Sequence, residues 1–468
     1  MSIIIPANSA AGGGLGYQVA NGVRFDDGSS SNFTDGSAPG GNRQKFTWSA
    51  WFKRSSVGAT QILASSSYSG GDEGYLFLSG GGVLGWQSTN GGDGNLGTNM
   101  VWRDLSAWYH VVFSVDTTQS TATNRIKLYV NGSQYTWDNS TTQPNVNQSL
   151  YFNVGGSYNS YIGRRAGGDY FDGYMSEIVF IDNAQLAADS FGEFDSDSGV
   201  WKPLESVADL TFGTSGYYLN FQNSSALGTD VSGVGNTFTA NNLAAIDQTT
   251  DTCTNNFCTW NPLDNFYQES TFQEANLQLR TKSPGVIYSY ETYNIGTIGV
   301  SSGKWFWEIK FSAVDSGSSQ IGVVDNGPTA ATQQLGGRTY GWSYTQGGSV
   351  DNNGSSVSGS WASYTTGDII GVALNLDDNQ LTFYKNGAVQ NSGTAISITA
   401  PASTTSGFYF PAGGDNNAGN VTLQSNFGNP PYAISSGNTD GNDRGNFEYA
   451  VPSGYLSLCT LNLSEELS

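Results

Sequence analysis

The chain has 468 residues, room for about three domains, or two with connecting material, at roughly 150 residues each. Charged residues make up only 12% and Gly occupies 62 positions, which leaves little for long helices with a solvated charged face. With 18 Lys and Arg against 39 Asp and Glu the net charge is −21, so a nucleic-acid backbone would meet like charge and is not an expected partner.

The opening MSIIIPANSAAGGG has three isoleucines and no basic stretch, short of a secretory signal. No run of about 18 apolar residues is present, so no membrane insertion is expected and the chain reads as soluble and made in the cytosol. Residues 46–53 alternate Phe46, Trp48, Ala50 and Phe52 with Thr47, Ser49, Trp51 and Lys53, a strand with one apolar and one mostly polar face. In 108–115 both parities are largely apolar, a strand covered on both sides. Residues 126–130 run into Asn131-Gly132, a tight hairpin signal because both turn positions need positive φ. A two-turn helix is expected over 184–191, capped by Asp182 or Asn183.

Residues 196–262 are polar but keep spaced apolar positions such as Leu210, Phe212 and Leu219, as an ordered connector would, with a strand over 217–221. Downstream, 304–311 sets Trp305, Trp307, Ile309 and Phe311 on one face, 369–376 is apolar on both parities, and 381–385 meets a second turn at Asn386-Gly387. A Gly/Asn/Asp-rich stretch over 434–447 precedes an apolar end, 449–463, expected to dock back. The fold class is all-β: two antiparallel β-sandwich domains.

Among chemically capable residues, His110 is the sole histidine and shares parity with Trp108 and Val112, which makes it a hydrogen-bonded core residue; no Ser-His-Asp or Cys-His site can be assembled. Cys253 and Cys258 stand C-x4-C without a second nearby pair, open to two thiols, a local disulfide or, least, zinc; with Cys459 the count is odd, which fits a reducing compartment. Gly80-Gly81-Gly82 lacks the Lys and helix of a phosphate loop. Sugar recognition needs flat rings beside amides and hydroxyls. Of 12 Trp and 25 Tyr, the candidates set among Gly, Ser and Asn are Trp86, Tyr158, Tyr161, Trp361 and Tyr364.

The segments FTWSAWFKRS, WYHVVFSVD, IKLYVNGSQ and FDGYMSEIVFID resemble a LamG-like, concanavalin-A-type jelly roll over 21–195. GKWFWEIKF, IGVV, YGWSY, GDIIGVALNLDDNQLTFYKNG and FYFPA resemble a SPRY domain over 263–432, the more specific match. EFDSDSGVWKPLE, the stretch YYLNFQNSSALGTDVSGVGNTFTANNL and the ending VPSGYLSLCTLNL are similar to tail or capsid fibre proteins of marine bacteriophages. The resemblance implies an arm over 1–20, a jelly roll over 21–195, a connector over 196–262, a SPRY-like sandwich over 263–432 and a docking tail over 433–468. It implies a non-enzymatic virion appendage subunit, a homo-oligomer and by resemblance a trimer, adhering to host surface glycans and bound to other virion proteins. The short apolar arm Ile3, Ile4, Ile5 and Pro6 would contact the particle. The alternatives are a purely structural decoration or assembly protein and a polysaccharide depolymerase.

Concanavalin-A-type sheets also host glucanases, which set two carboxylates about the scissile bond. The nearest approach here, Glu193 and Asp195 with Asp197, lacks the second Glu, and Glu308 stands alone on its face as a salt-bridged or edge carboxylate. LamG-like domains also hold structural calcium on loop oxygens; Asp26, Asp27, Asp72, Glu73, Asp169 and Asp172 are the available donors, each otherwise a turn residue, as are Asp377 and Asp378. No other cofactor is expected.

Overall fold

A computed structural model of the chain describes residues 16–36, 39–67, 71–89, 92–138, 141–156, 158–264, 270–281, 293–314, 319–326, 334–415 and 421–466. The fold is all-β, with one α-helix, Thr460–Glu466, among the described residues. They divide into two units, one within Ala10–Asn256 and one within Phe257–Ser468.

In the first unit two antiparallel sheets face each other. One is centred on Lys45–Arg54, flanked by Tyr109–Asp116 and Gly173–Asp182. The other runs Thr239–Asn241, Asn32–Asp35, Asn159–Ile162, Gln61–Ser67, Glu73–Leu78, Val83–Ser88 and Asn95–Val101 in hydrogen-bonded order. Because strand side chains alternate, Phe46, Trp48, Ala50 and Phe52 meet Leu76, Leu84, Trp86 and Leu96 in one core. The other parity of the central strand, Thr47, Ser49, Trp51 and Lys53, is buried as well. Its polar groups hold the chain that covers them: Thr47 Oγ1 donates to Ala184 O (2.8 Å) and accepts from Leu186 N (2.9 Å).

Those bonds replace the helix expected over 184–191. With Ser114 Oγ also donating to Leu186 O (2.6 Å), backbone groups that a helix needs are taken by strand side chains, and only a 3-10 turn, Ala188–Ser190, forms. The polar stretch that follows is woven into the first sandwich. Tyr217–Leu219 pairs with Gly173–Asp182, Thr239–Asn241 with Asn32–Asp35, and Gln248–Thr249 with Gly22–Phe25. The three cysteines are free thiols and buried, so no disulfide joins Cys253 to Cys258.

In the second unit Lys304–Val314 lies between Val421–Asn426 and Ile369–Asn375, with Gln380–Lys385 beyond. The facing sheet includes Ser319–Val324, Phe410–Asp415 and Gly341–Thr345. Trp305, Trp307, Ile309 and Phe311 pack with Ile370, Val372, Leu374, Ile321 and Val323, and Phe306 on the opposite parity is covered by Phe447 (ring centroids 5.4 Å). Both expected hairpin turns form: Asn131 and Gly132 have φ of 47° and 79°, Asn386 and Gly387 of 48° and 76°.

Candidate functional site

The outward face of the second sheet in the first unit gathers the half-exposed rings. Its register sets Thr34, Tyr161, Ser65, Tyr75, Gln87 and Asn95 in one row across five neighbouring strand pairings. The adjacent positions Phe33, Ile162, Ala64, Leu76, Trp86 and Leu96 are buried in the core, so the row must face away from it.

Two arginines brace the rings of this face. The Arg164 guanidinium lies 5.0 Å from the Tyr161 ring and 5.1 Å from that of Tyr170. Arg165 lies 5.2 Å from Tyr75 and is pinned by Glu73 (2.5 Å) and Asp169 (2.6 Å). Outside this row, Arg43 lies 5.1 Å from Tyr151, which stacks on Tyr158 at 6.1 Å. Burial and the neighbouring Asp72 carboxylate push both phenols, Tyr151 and Tyr158, above the usual range. Asn159 Nδ2 donates to Tyr161 Oη at 3.1 Å, while Gln87 and Asn95 are exposed at the other end of the row. The cavity beside Tyr161 holds about 20 Å³, so a sugar ring would sit on the face and not in a pocket.

The sequence candidates separate accordingly. Tyr161 belongs to this face; Tyr158 precedes its strand and stacks on Tyr151 outside the row. Trp86 is fully buried, stacked on Phe113 at 5.2 Å with Nε1 donating to Asp93 O at 3.1 Å, and Tyr364 is buried with its hydroxyl donating to Ser319 O (3.0 Å) and Tyr344 O (3.2 Å). Neither presents a ring to a ligand; both are core residues. Trp361 is half-buried on the second core, in a loop held by Ser360 N donating to Asn391 Oδ1 (3.0 Å) and Ala362 N to Gln390 Oε1 (3.1 Å). Ile3, Ile4, Ile5 and Pro6 lie outside the described residues. Tyr75, Tyr151 and Tyr170, with their arginines, were not singled out by sequence; the signal available was the alternation of Glu73, Tyr75 and Phe77.

Of the acidic donors, Asp26, Asp27 and Asp172 converge, with one carboxylate oxygen of each within 4.8 Å of the others. Asp172 is buried and its Oδ1 has no hydrogen-bond partner. Burial first, then the Asp27 charge, raises its carboxyl to about 7. Three carboxylates, one of them buried with an unsatisfied oxygen, are hard donors of the kind that hold a calcium ion. Glu73 and Asp169 are instead committed to Arg165.

The remaining groups are accounted for structurally. His110 Nε2 meets Ser49 Oγ at 2.8 Å, its Nδ1 accepts from Trp201 Nε1 at 3.1 Å, and burial lowers its pKa to about 3. Both Glu193 and Asp195 bind Lys202, and Asp195 accepts from Ser198 N at 2.9 Å. Glu308 is not salt-bridged in the way expected: its carboxylate accepts from the backbone N–H groups of Glu448 (2.9 Å) and Tyr449 (2.8 Å) and from Asn426 Nδ2 (3.2 Å).

Residues 25–189 match the family model described as the concanavalin A-like lectin/glucanases superfamily, and residues 304–430 match that of the SPRY domain. Similar solved structures include the SPRY domain of human HERC1, 18% identical over 36% of this chain and 96% of that one, with a TM-score of 0.28. A "putative carbohydrate binding protein" from Bacteroides ovatus is 16% identical over 48% of this chain and 61% of its own, with a TM-score of 0.33. A heptameric SAP-like pentraxin from Limulus polyphemus is 16% identical over 36% and 80%, with a TM-score of 0.27. No curated protein matches. The chain thus carries a LamG-like, concanavalin-A-like domain followed by a SPRY domain.

Proposed function

We propose that this chain is a non-enzymatic phage appendage subunit that adheres to host surface glycans through the tyrosine-studded face of its LamG-like domain. The observation that carries the glycan reading is the outward row containing Tyr161 and Tyr75, half-buried rings backed by arginines and flanked by the exposed amides of Gln87 and Asn95. Rings held at fixed tilt stack on sugar C–H faces at low entropic cost, and amides take the hydroxyls. The virion setting, the homo-oligomer and the partnership with other virion proteins rest on the sequence resemblance to phage fibres. The engagement of Glu193 and Asp195 by one lysine favours adhesion over depolymerisation.

Asp26, Asp27 and Asp172 would hold a structural calcium ion, whose charge would neutralise the cluster and tie the Asp26–Asp27 turn to the start of the neighbouring strand.

The test is binding of the full chain to polysaccharide from host cells, with reducing-sugar release followed in parallel. Binding without release, lowered at least tenfold in Y161A and unchanged in W86F, is the expected result. Release of reducing sugar would establish the depolymerase; no binding, together with failed particle assembly when the protein is absent, would establish the decoration protein.

A further inference from the structure

Lys53 stands in the central strand of the first sandwich, 1% exposed, opposite Tyr174 in register. Its Nζ reaches Asp251 Oδ2 at 2.5 Å and Asn256 Oδ1 at 2.8 Å. The surroundings are aromatic, with the Tyr174 ring 4.5 Å from Nζ and the Trp108 ring 5.8 Å away. Asp251 is fully buried, its Oδ1 accepting from Trp108 Nε1 at 3.1 Å. Asn256 Nδ2 donates to Ser106 O at 2.7 Å, which turns the carbonyl end of the amide toward the lysine and fixes it there. A buried amine, a buried carboxylate touching it and an oriented amide that also touches it form a nucleophile, a proton carrier and an electrophile in one place.

We propose that Lys53 and Asn256 join in a self-catalysed intramolecular amide bond, with Asp251 carrying the protons. In a site of low dielectric the ammonium and carboxylate are costly as charges, so a proton passes from Nζ to Asp251 and leaves a neutral amine. The Nζ lone pair attacks Asn256 Cγ, one C=O bond beyond the oxygen it already touches, and the carbonyl π pair moves onto Oδ1. A second Nζ proton passes through Asp251 to Nδ2; Oδ1 re-forms the carbonyl, the Cγ–Nδ2 bond breaks and ammonia leaves. The balance is one ammonium and one primary amide giving one secondary amide and one ammonium ion, with no oxidant or cofactor. Asn256 is the acceptor because its amide carbon is neutral, whereas a carboxylate repels the nucleophile and Asp251 is needed as base. Its half-buried position gives the ammonia a way out.

The consequence is mechanical. Asn256 is the last residue of the first unit, so the bond would rivet the end of that unit to its central strand just where the chain continues into the second.

Mass spectrometry of the denatured full chain is the test. The expected result is a mass lower by one ammonia and, after digestion, a branched peptide joining the Lys53 and Asn256 segments. Full mass with the two residues in separate peptides overturns the proposal, as does ammonia loss traced to linear succinimide peptides at Asn-Gly. A loss of water with a branch to Asp251 overturns the assigned roles. D251A is expected to have its unbridged calculated mass, and a bridged D251A removes Asp251 from the chemistry. Should D251A not fold, N256A serves: a folded N256A with its calculated mass is expected, and one still lacking ammonia overturns Asn256 as acceptor.

Discussion

Two buried ionisable side chains of the first unit are driven toward neutrality from opposite sides. Asp172 is raised to about 7 by burial and by Asp27 and Asp26, with the Arg54 guanidinium nearby, itself lowered to about 10 by burial. The folded state therefore holds the Asp172 proton more tightly than the unfolded chain does, and stability falls as pH rises from about 4 through 7. Without calcium D172N should be more stable than the parent at pH 8 by about 1–3 kcal/mol. Calcium should raise the parent's melting temperature at pH 8, have little effect at pH 5, and have none on D172N; thermal melts with chelator and with added calcium read all three. His110 is lowered to about 3, so the fold prefers the neutral ring, and its contribution is present above pH 6.5 and lost as pH falls toward 3. H110A leaves Trp201 Nε1 and Ser49 Oγ buried without the ring between them. Its expected cost is about 2–4 kcal/mol in urea unfolding at pH 7.

At the scale of elements, side chains that tie one segment to another decide what was legible. The alternating strands and both Asn-Gly hairpins could be read directly, because each is set by neighbours in sequence. The two turns also share a tie to the preceding strand that their local pattern does not show: Asn131 Oδ1 accepts from His110 N and Asn386 Oδ1 from Ile369 N, both at 2.8 Å. The expected 184–191 helix failed because Thr47 and Ser114, far away in sequence, compete for its backbone. Trp86 looked like a loop ring because glycines surround it, yet they are spacers: a Cβ on Gly74 would meet the Trp86 ring at 2.5 Å, and one on Gly85 the Phe77 ring at 2.7 Å. The arginine–tyrosine stacks, such as Arg43 on Tyr151, join residues no local pattern connects. Glu308 is the same kind of tie, fastening the Glu448–Tyr449 backbone to its sheet. E308A strands two N–H donors and should cost about 2–4 kcal/mol, with faster amide exchange at Glu448 and Tyr449 and no change at the Asn131-Gly132 hairpin. Unchanged exchange at those two amides would show that Phe447 packing alone holds the segment.

For the whole molecule the governing quantity is charge. The net charge is −21 over the chain, and burial withdraws carboxylates such as Asp93, Asp251 and Glu308 from solvent as well as the cations Arg24, Lys53 and Arg54. Like charges at that density repel in the folded state more than in the expanded unfolded chain, so screening should stabilise the fold. The Debye length falls from about 30 Å at 0.01 M salt to about 4 Å at 0.5 M. Melting temperature should accordingly rise by about 3–6 °C between those two sodium chloride concentrations at pH 8, and the rise should shrink toward pH 4 as carboxylates protonate. Differential scanning calorimetry in chloride alone, which avoids the surface exclusion of sulfate, separates screening from general salting-out. A curve flat with salt at pH 8 would mean that local pairs such as Arg165 with Glu73 and Asp169 already cancel the repulsion where it is strongest.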